Sequence, residues 1–124
     1  MNFKALNSYL LSKQGATYDY PFDEEVRVYR VGNKMFALTN ENKRPLNVNL
    51  KCDPIYALEL RSLYKGIIGG YHMNKKHWNT VMLEDSDVDK ETIEELIDHS
   101  YDLVFKSLTK RVREEIKDKL KMDR

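Results

Sequence analysis

Residues 69–81 read Gly69-Gly70-Tyr71-His72-Met73-Asn74-Lys75-Lys76-His77-Trp78-Asn79-Thr80-Val81. This run holds the chain's one Trp, two of its three His, adjacent lysines and two asparagines. Such side chains can neutralise a phosphate, stack on a planar ring, hydrogen-bond a base edge or ligate a metal. A core strand has no use for that mixture, and a solvated loop seldom carries a Trp. The stretch is therefore a candidate site, and the question is which chemistry its spacing permits.

Metal and catalytic readings are the weaker ones. A catalytic zinc needs three imidazole or carboxylate ligands. His72 and His77 stand five apart, the nearest carboxylates are Glu84 and Asp85, and His99 would join only through tertiary folding. No metal and no cofactor is expected. Ser100 follows His99, but adjacent helical residues point about 100° apart and cannot pair as nucleophile and base. A Ser on a helix's inner face is expected to bond its own i−4 carbonyl, here that of Leu96. Cys52 has no nucleophile signature with His72 or His77 and reads as a small buried residue. The glycines from 66 to 70 lack the spacing and the following Lys-Ser/Thr of a phosphate loop. No residue set volunteers for catalysis.

Nucleic-acid binding uses the same residues more economically. Lys75 and Lys76 would hold phosphates, with Lys51 assisting, while Asn74, His77 and Asn79 make polar contacts. Tyr71, His72 and Trp78 would shape the segment, and its rings could stack or wedge. Asn47, Asn49 and Lys51 would extend this surface across an uncovered sheet face. The basic final helix, with Lys110, Arg111, Arg113, Lys117, Lys119 and Lys121, could add a second patch. The bland reading makes Trp78 a core plug, the lysines solvated and the last helix a charged cap. A competing class is a cleft for a small ligand or substrate, lined by Tyr71, His72, His77 and Trp78. Shape separates the two: a deep concavity with converging His favours the cleft, and a protruding lysine-tipped hairpin favours DNA. A third class is a protein-interaction module using the Val112, Ile116 and Leu120 stripe, although self-packing is the simpler use of it.

The elements that must position these residues follow from periodicity. Residues 2–13 predict a short helix with Phe3, Leu6 and Leu10 on one stripe, closed by Gly15. Residues 17–23 read as an aromatic connection in which Pro21 keeps Tyr20 out of a helix. Residues 25–31 alternate, with Val26 and Val28 facing one way and Arg27 and Tyr29 the other. Gly32-Asn33 predicts a two-residue hairpin turn into a return strand over 34–39, apolar on both faces. After a polar turn at 40–45, Leu46, Val48 and Leu50 point inward and Asn47, Asn49 and Lys51 outward. Asp53-Pro54 starts a helix through Tyr64 that buries Ile55, Leu58, Leu60 and Leu63. The glycines at 66–70 break it, residues 78–83 form a strand, and residues 89–108 form the longest helix, with Ile93, Leu96, Ile97, Tyr101, Val104 and Phe105 inward. Thr109 caps the last helix. The order α-β-β-β-α-β-α-α is an α+β two-layer sandwich, an antiparallel sheet with helices packed on one face.

Composition agrees with one domain over residues 1–124. The 124 residues are 41% hydrophobic and 33% charged, and carry a net charge of +1. This excludes a disordered chain and argues against a strongly basic nucleic-acid binder of the usual composition. The charge is unevenly placed. Residues 1–83 hold 12 basic against 7 acidic groups, residues 84–102 hold 1 against 9, and residues 103–124 hold 8 against 4. A single cysteine forbids an internal disulfide. No apolar run approaches the ~20 residues of a membrane span, and the first residues lack a signal-peptide core, so a cytoplasmic location is expected.

Five segments in order carry a family resemblance: Asp19-Tyr20-Pro21-Phe22; Lys34-Met35-Phe36-Ala37-Leu38; Val48-Asn49-Leu50-Lys51-Cys52-Asp53-Pro54; the run from Gly70 through Val81; and Ile97-Asp98-His99-Ser100-Tyr101-Asp102-Leu103-Val104. The chain resembles the MmcQ/YjbR family of small bacterial proteins. The resemblance implies a bacterial-frataxin-like two-layer fold in a double-wing arrangement, and double-stranded DNA as the partner. Frataxin-like folds also suggest iron handling through an acidic first helix. Residues 2–13 contain no carboxylate, so that role does not carry over.

Overall fold

The computed structural model describes residues 1–71 and 73–122, the last three as backbone alone. Helix α1 (Phe3–Leu11) starts at Asn2, whose Oδ1 accepts the Ala5 N–H at 2.8 Å. That bond satisfies one of the amides a helix start leaves unpaired. Strands β1 (Thr17–Asp19), β2 (Arg27–Val31), β3 (Lys34–Thr39) and β4 (Asn47–Lys51) follow, then α2 (Pro54–Leu63), β5 (Ile67–Gly69), β6 (Trp78–Met82), α3 (Lys90–Ser107) and α4 (Lys110–Met122). The six strands form one antiparallel sheet in the order β1-β2-β3-β4-β6-β5.

Two strands exceed the sequence reading, and both are three-residue edge strands. Every residue of β1 is exposed, so no in–out alternation marks it. β5 lies in the glycine-rich break and exists because β6 supplies its backbone partners, Ile67 opposite Val81 and Gly69 opposite Asn79. The β2–β3 turn is as expected. Gly32 and Asn33 have φ of 55° and 69°, the paired positive values of a tight hairpin turn. A Cβ at Gly32 would lie 2.8 Å from Leu108 Cδ1, so the turn also seats the end of α3.

All four helices contribute to one apolar layer on the same side of the sheet. It contains Leu6 and Leu10 of α1, Ala57 and Leu60 of α2, Ile93, Leu96, Ile97, Tyr101 and Val104 of α3, and Val112 and Ile116 of α4, against Tyr29, Val31, Phe36, Val48, Leu50, Ile67 and Val81. β3 looks apolar on both faces because a bulge sets Tyr29 opposite Ala37 and Arg30 opposite Met35. Phe36 and Ala37 both turn to the helices, while Met35 and Leu38 turn away. On the far face a second cluster forms from Val28, Leu38 and Trp78, with Val26, Met35 and Met73 packed against it. That face carries no helix.

The buried face of α2 differs from the expected one. Ile55, Leu58 and Leu63 are 72%, 63% and 71% exposed, and the helix buries Ala57 and Leu60 instead. Ala57, Leu60 and Arg61 share one face at i, i+3 and i+4. Arg61 on that face is bonded to Asn79 of β6, so the side of α2 that meets the sheet is the one carrying this polar anchor. Ser100 also differs. Its hydroxyl donates to the Phe36 carbonyl at 2.6 Å and accepts the Lys51 N–H at 2.9 Å, tying α3 to β3 and β4 rather than to Leu96. The β3–β4 pairing ends at Ala37 and Leu50, and Ser100 bridges the next two backbone groups, the Phe36 carbonyl and the Lys51 N–H.

Candidate functional site

The connection from Gly70 to His77 is held by its own backbone and by α2. The Gly70 N–H donates to the Trp78 carbonyl at 2.8 Å. A Cβ at Gly70 would sit 2.9 Å from Trp78 Cβ and 3.0 Å from Met73 Cβ, so only glycine permits this closure. Asn74 makes the turn: its Oδ1 accepts the Lys76 N–H at 2.9 Å, and its carbonyl accepts from His77 and Trp78 at 3.1 and 2.9 Å. The Cys52 N–H donates to the His77 carbonyl at 2.8 Å, joining the segment to the end of β4. The Arg61 guanidinium donates to Asn79 Oδ1 at 2.7 Å, to the Trp78 carbonyl at 3.3 Å and to the Lys75 carbonyl.

This framework leaves Asn74, Lys75 and Lys76 exposed and His77 half-buried. Lys51 lies opposite Trp78 in the β4–β6 register, so it stands on the helix-free face beside the segment. Trp78 itself is buried in the second apolar cluster, where it sets the geometry of the segment without presenting a ring. Asn79 is not part of the surface. It points to the helix side, is 2% exposed, and uses its amide on Arg61 and the Ala57 carbonyl. Strand alternation imposes this, because neighbours of an open-face Trp78 must face the helices. His72 lies outside the described residues.

A cleft of about 410 Å³ opens on the helix-free face. Its lining is Phe22, Val26, Leu38, Thr39, Asn40, Lys43, Asn47, Asn49, Tyr71 and Met73. Of the described residues expected to line a pocket, only Tyr71 does so; His77 and Trp78 do not. Phe22, from the β1–β2 connection, and Tyr71, from the β5–β6 connection, are 65% and 59% exposed. Lys43 Nζ, from the β3–β4 turn, stands 4.8 Å from the Tyr71 ring centroid. Among the described residues, no carboxylate lines the cleft.

The other titratable candidates have structural duties. His99 Nε2 accepts the Asp53 N–H at 3.2 Å, and its ring meets Tyr56 edge-on at 5.2 Å. Burial lowers its pKa below the usual histidine value, against the opposing charges of Asp53 and Asp102. Cys52 is buried, and desolvation, with Asp53 adding to it, pushes its thiol up to about 11. Among the described residues no three His, Cys, Asp or Glu side chains gather as a metal group, and no helix is long and apolar enough to cross a membrane. Val112 and Ile116 of α4 pack on the core, so these two are used internally.

Sequence reasoning missed Phe22, Asn40, Lys43 and Arg61. Phe22 carried a signal, an aromatic after Pro21 in the aromatic connection with no partner in the apolar pattern. Lys43 and Asn40 looked like ordinary turn residues. Arg61 was hidden by the larger Ile55, Leu58 and Leu63 around it.

The chain is similar in sequence to uncharacterized protein YbdF of Escherichia coli O157:H7, with 36% identity over 98 residues covering 79% of this chain and 80% of the relative. It is 33% identical over 101 residues to uncharacterized protein YjbR of Escherichia coli K12, covering 82% of this chain and 85% of that one. Among solved structures, Deinococcus radiodurans DR2400, described with domain DUF419, superposes with a TM-score of 0.86 at 40% identity, over 93% of this chain and 87% of that one. A Pseudomonas syringae protein superposes with a TM-score of 0.72 at 30% identity, over 84% of this chain and 99% of its own. The YjbR family model matches residues 11–103, which span the whole sheet, α2 and most of α3, and the chain belongs to the YjbR family.

Proposed function

We propose that this protein binds double-stranded DNA without catalysing a reaction. Lys75 and Lys76 hold backbone phosphates, Lys51 assists, and Asn74 and His77 add polar contacts. The supporting observation is the β5–β6 connection: two adjacent exposed lysines on a backbone-fixed turn, neither in an ion pair among the described residues. Cations that are unpaired and already positioned lose little on meeting phosphate, and they release counterions from the duplex. Fold likeness contributes nothing to this reading, since one fold hosts many functions.

The test is the salt dependence of duplex binding in the Lys75→Ala/Lys76→Ala variant. If each lysine neutralises one phosphate, the slope of log affinity against log salt flattens by up to ~2 units and affinity falls. An unchanged slope removes both residues from the interface. The cleft supports a second reading, a small-ligand site on the helix-free face, because its volume lies within the roughly 300–1,000 Å³ of such pockets.

A further inference from the structure

We infer that the helix-free face holds a nucleotide site: the cleft takes one unpaired nucleobase, with its phosphate directed to Lys43. This deepens the DNA reading and rests on it for a strand-borne source of the nucleotide, but it stands on different residues. The hydrogen-bond network fixes what the cleft offers. Thr80 Oγ1 accepts the Tyr71 N–H at 3.2 Å and donates its own proton to Asn49 Oδ1 at 2.6 Å. With Oδ1 so engaged, the Asn49 NH₂ is left to donate. Asn40 Oδ1 accepts the Asn42 N–H at 2.9 Å, which leaves a second NH₂. Asn47 donates its own NH₂ to the Pro45 carbonyl at 3.0 Å, which leaves Oδ1 as an acceptor.

Two amide donors, one amide acceptor and one ammonium, with no carboxylate among the described residues, suit a ligand rich in acceptors, holding one N–H and bearing negative charge. The walls add the exposed rings of Phe22, from the β1–β2 connection, and Tyr71, from the β5–β6 connection, at a cleft that crosses β3 and β4, with Val26, Leu38 and Met73 also lining it. Large exposed aromatics flanking an amide floor fit a flat heterocycle. A nucleobase with a phosphate meets each of these demands.

The chain carries its own reporter, because Trp78 packs with Leu38 and Met73, both of which line the cleft. Single-stranded (dT)12 and free dTMP are titrated separately while Trp78 emission is followed, using the wild type and the Phe22→Ala and Lys43→Glu variants. Both residues are exposed, so unchanged melting should confirm folding. The expected result is saturable binding that weakens about ten-fold or more in Phe22→Ala, the scale of a lost base–aromatic stack, and that weakens also in Lys43→Glu. Binding of (dT)12 alone identifies a base within a strand, and binding of dTMP as well identifies a free nucleotide; both support the site. No binding of either probe, or affinities within two-fold of wild type in both variants, overturns it. If duplex binding is present and depends on Lys75 and Lys76 while both probes fail, the cleft inference falls and the duplex reading stands. If dTMP binds and duplex does not, the reverse holds.

Discussion

Arg61 positions the lysine-bearing connection, and removing it has a cost that can be worked from the structure. Its guanidinium serves three acceptors: Asn79 Oδ1 and the carbonyls of Lys75 and Trp78. In Arg61→Ala the Trp78 carbonyl keeps the Gly70 N–H, and Lys75 is exposed enough for water to replace its bond. Asn79 Oδ1 has no such relief, since the residue is 2% exposed. A hydrogen bond to a charged group is worth about 1.5–3 kcal/mol, and an orphaned buried acceptor incurs that loss in full. Adding the packing of the arginine stem, we predict a loss of about 2–3 kcal/mol. With a urea m-value of about 1–3 kcal/mol per molar, the unfolding midpoint read from Trp78 fluorescence drops by about 0.7–3 M at unchanged slope. Because the Asn79 bond carries most of the effect, the cycle Arg61→Ala, Asn79→Ala and the double variant should show a coupling of about 1–2 kcal/mol. Amide exchange at residues 75–78 should also accelerate. A loss below about 0.5 kcal/mol in Arg61→Ala, or additive single effects, would refute the reasoning.

Ser100→Ala should cost about 2–4 kcal/mol in the same assay, because it strands the Phe36 carbonyl and the Lys51 N–H together; a cost near zero would mean the backbone re-pairs. His99 has a folded pKa below its unfolded value, so the unfolded chain binds more protons between the two. Stability therefore falls as pH drops through about 6.5, the unfolded value, and levels off below the folded pKa. His99→Gln should flatten that window, and an identical pH profile would contradict the assignment. Cys52, buried and with its thiol pushed up to about 11, should resist iodoacetamide at pH 8 until the protein unfolds. Rapid alkylation of the native chain would contradict its burial.

Most of the layer order was legible because long periodic segments declare themselves. α3, β4 and the β2–β3 hairpin lie where alternation, helical spacing and Gly32-Asn33 put them. What escaped depends on partners that periodicity does not see. β1 and β5 are made by the strands beside them, and the face of α2 turned to the sheet carries an arginine bonded to Asn79. The candidate site was legible as a segment but not as a surface. Adjacent positions such as Trp78 and Asn79 necessarily face opposite ways, and the cleft draws Phe22, Lys43 and Asn49 from three distant connections and strands.

DNA binding is tested most directly by fluorescence-anisotropy titration of the wild-type chain with labelled duplex at low and at near-physiological salt. Saturable binding that weakens as salt rises, with a log–log slope of at least about −2 for phosphates held by Lys75 and Lys76, is the expected result. A flat baseline at low salt would contradict it.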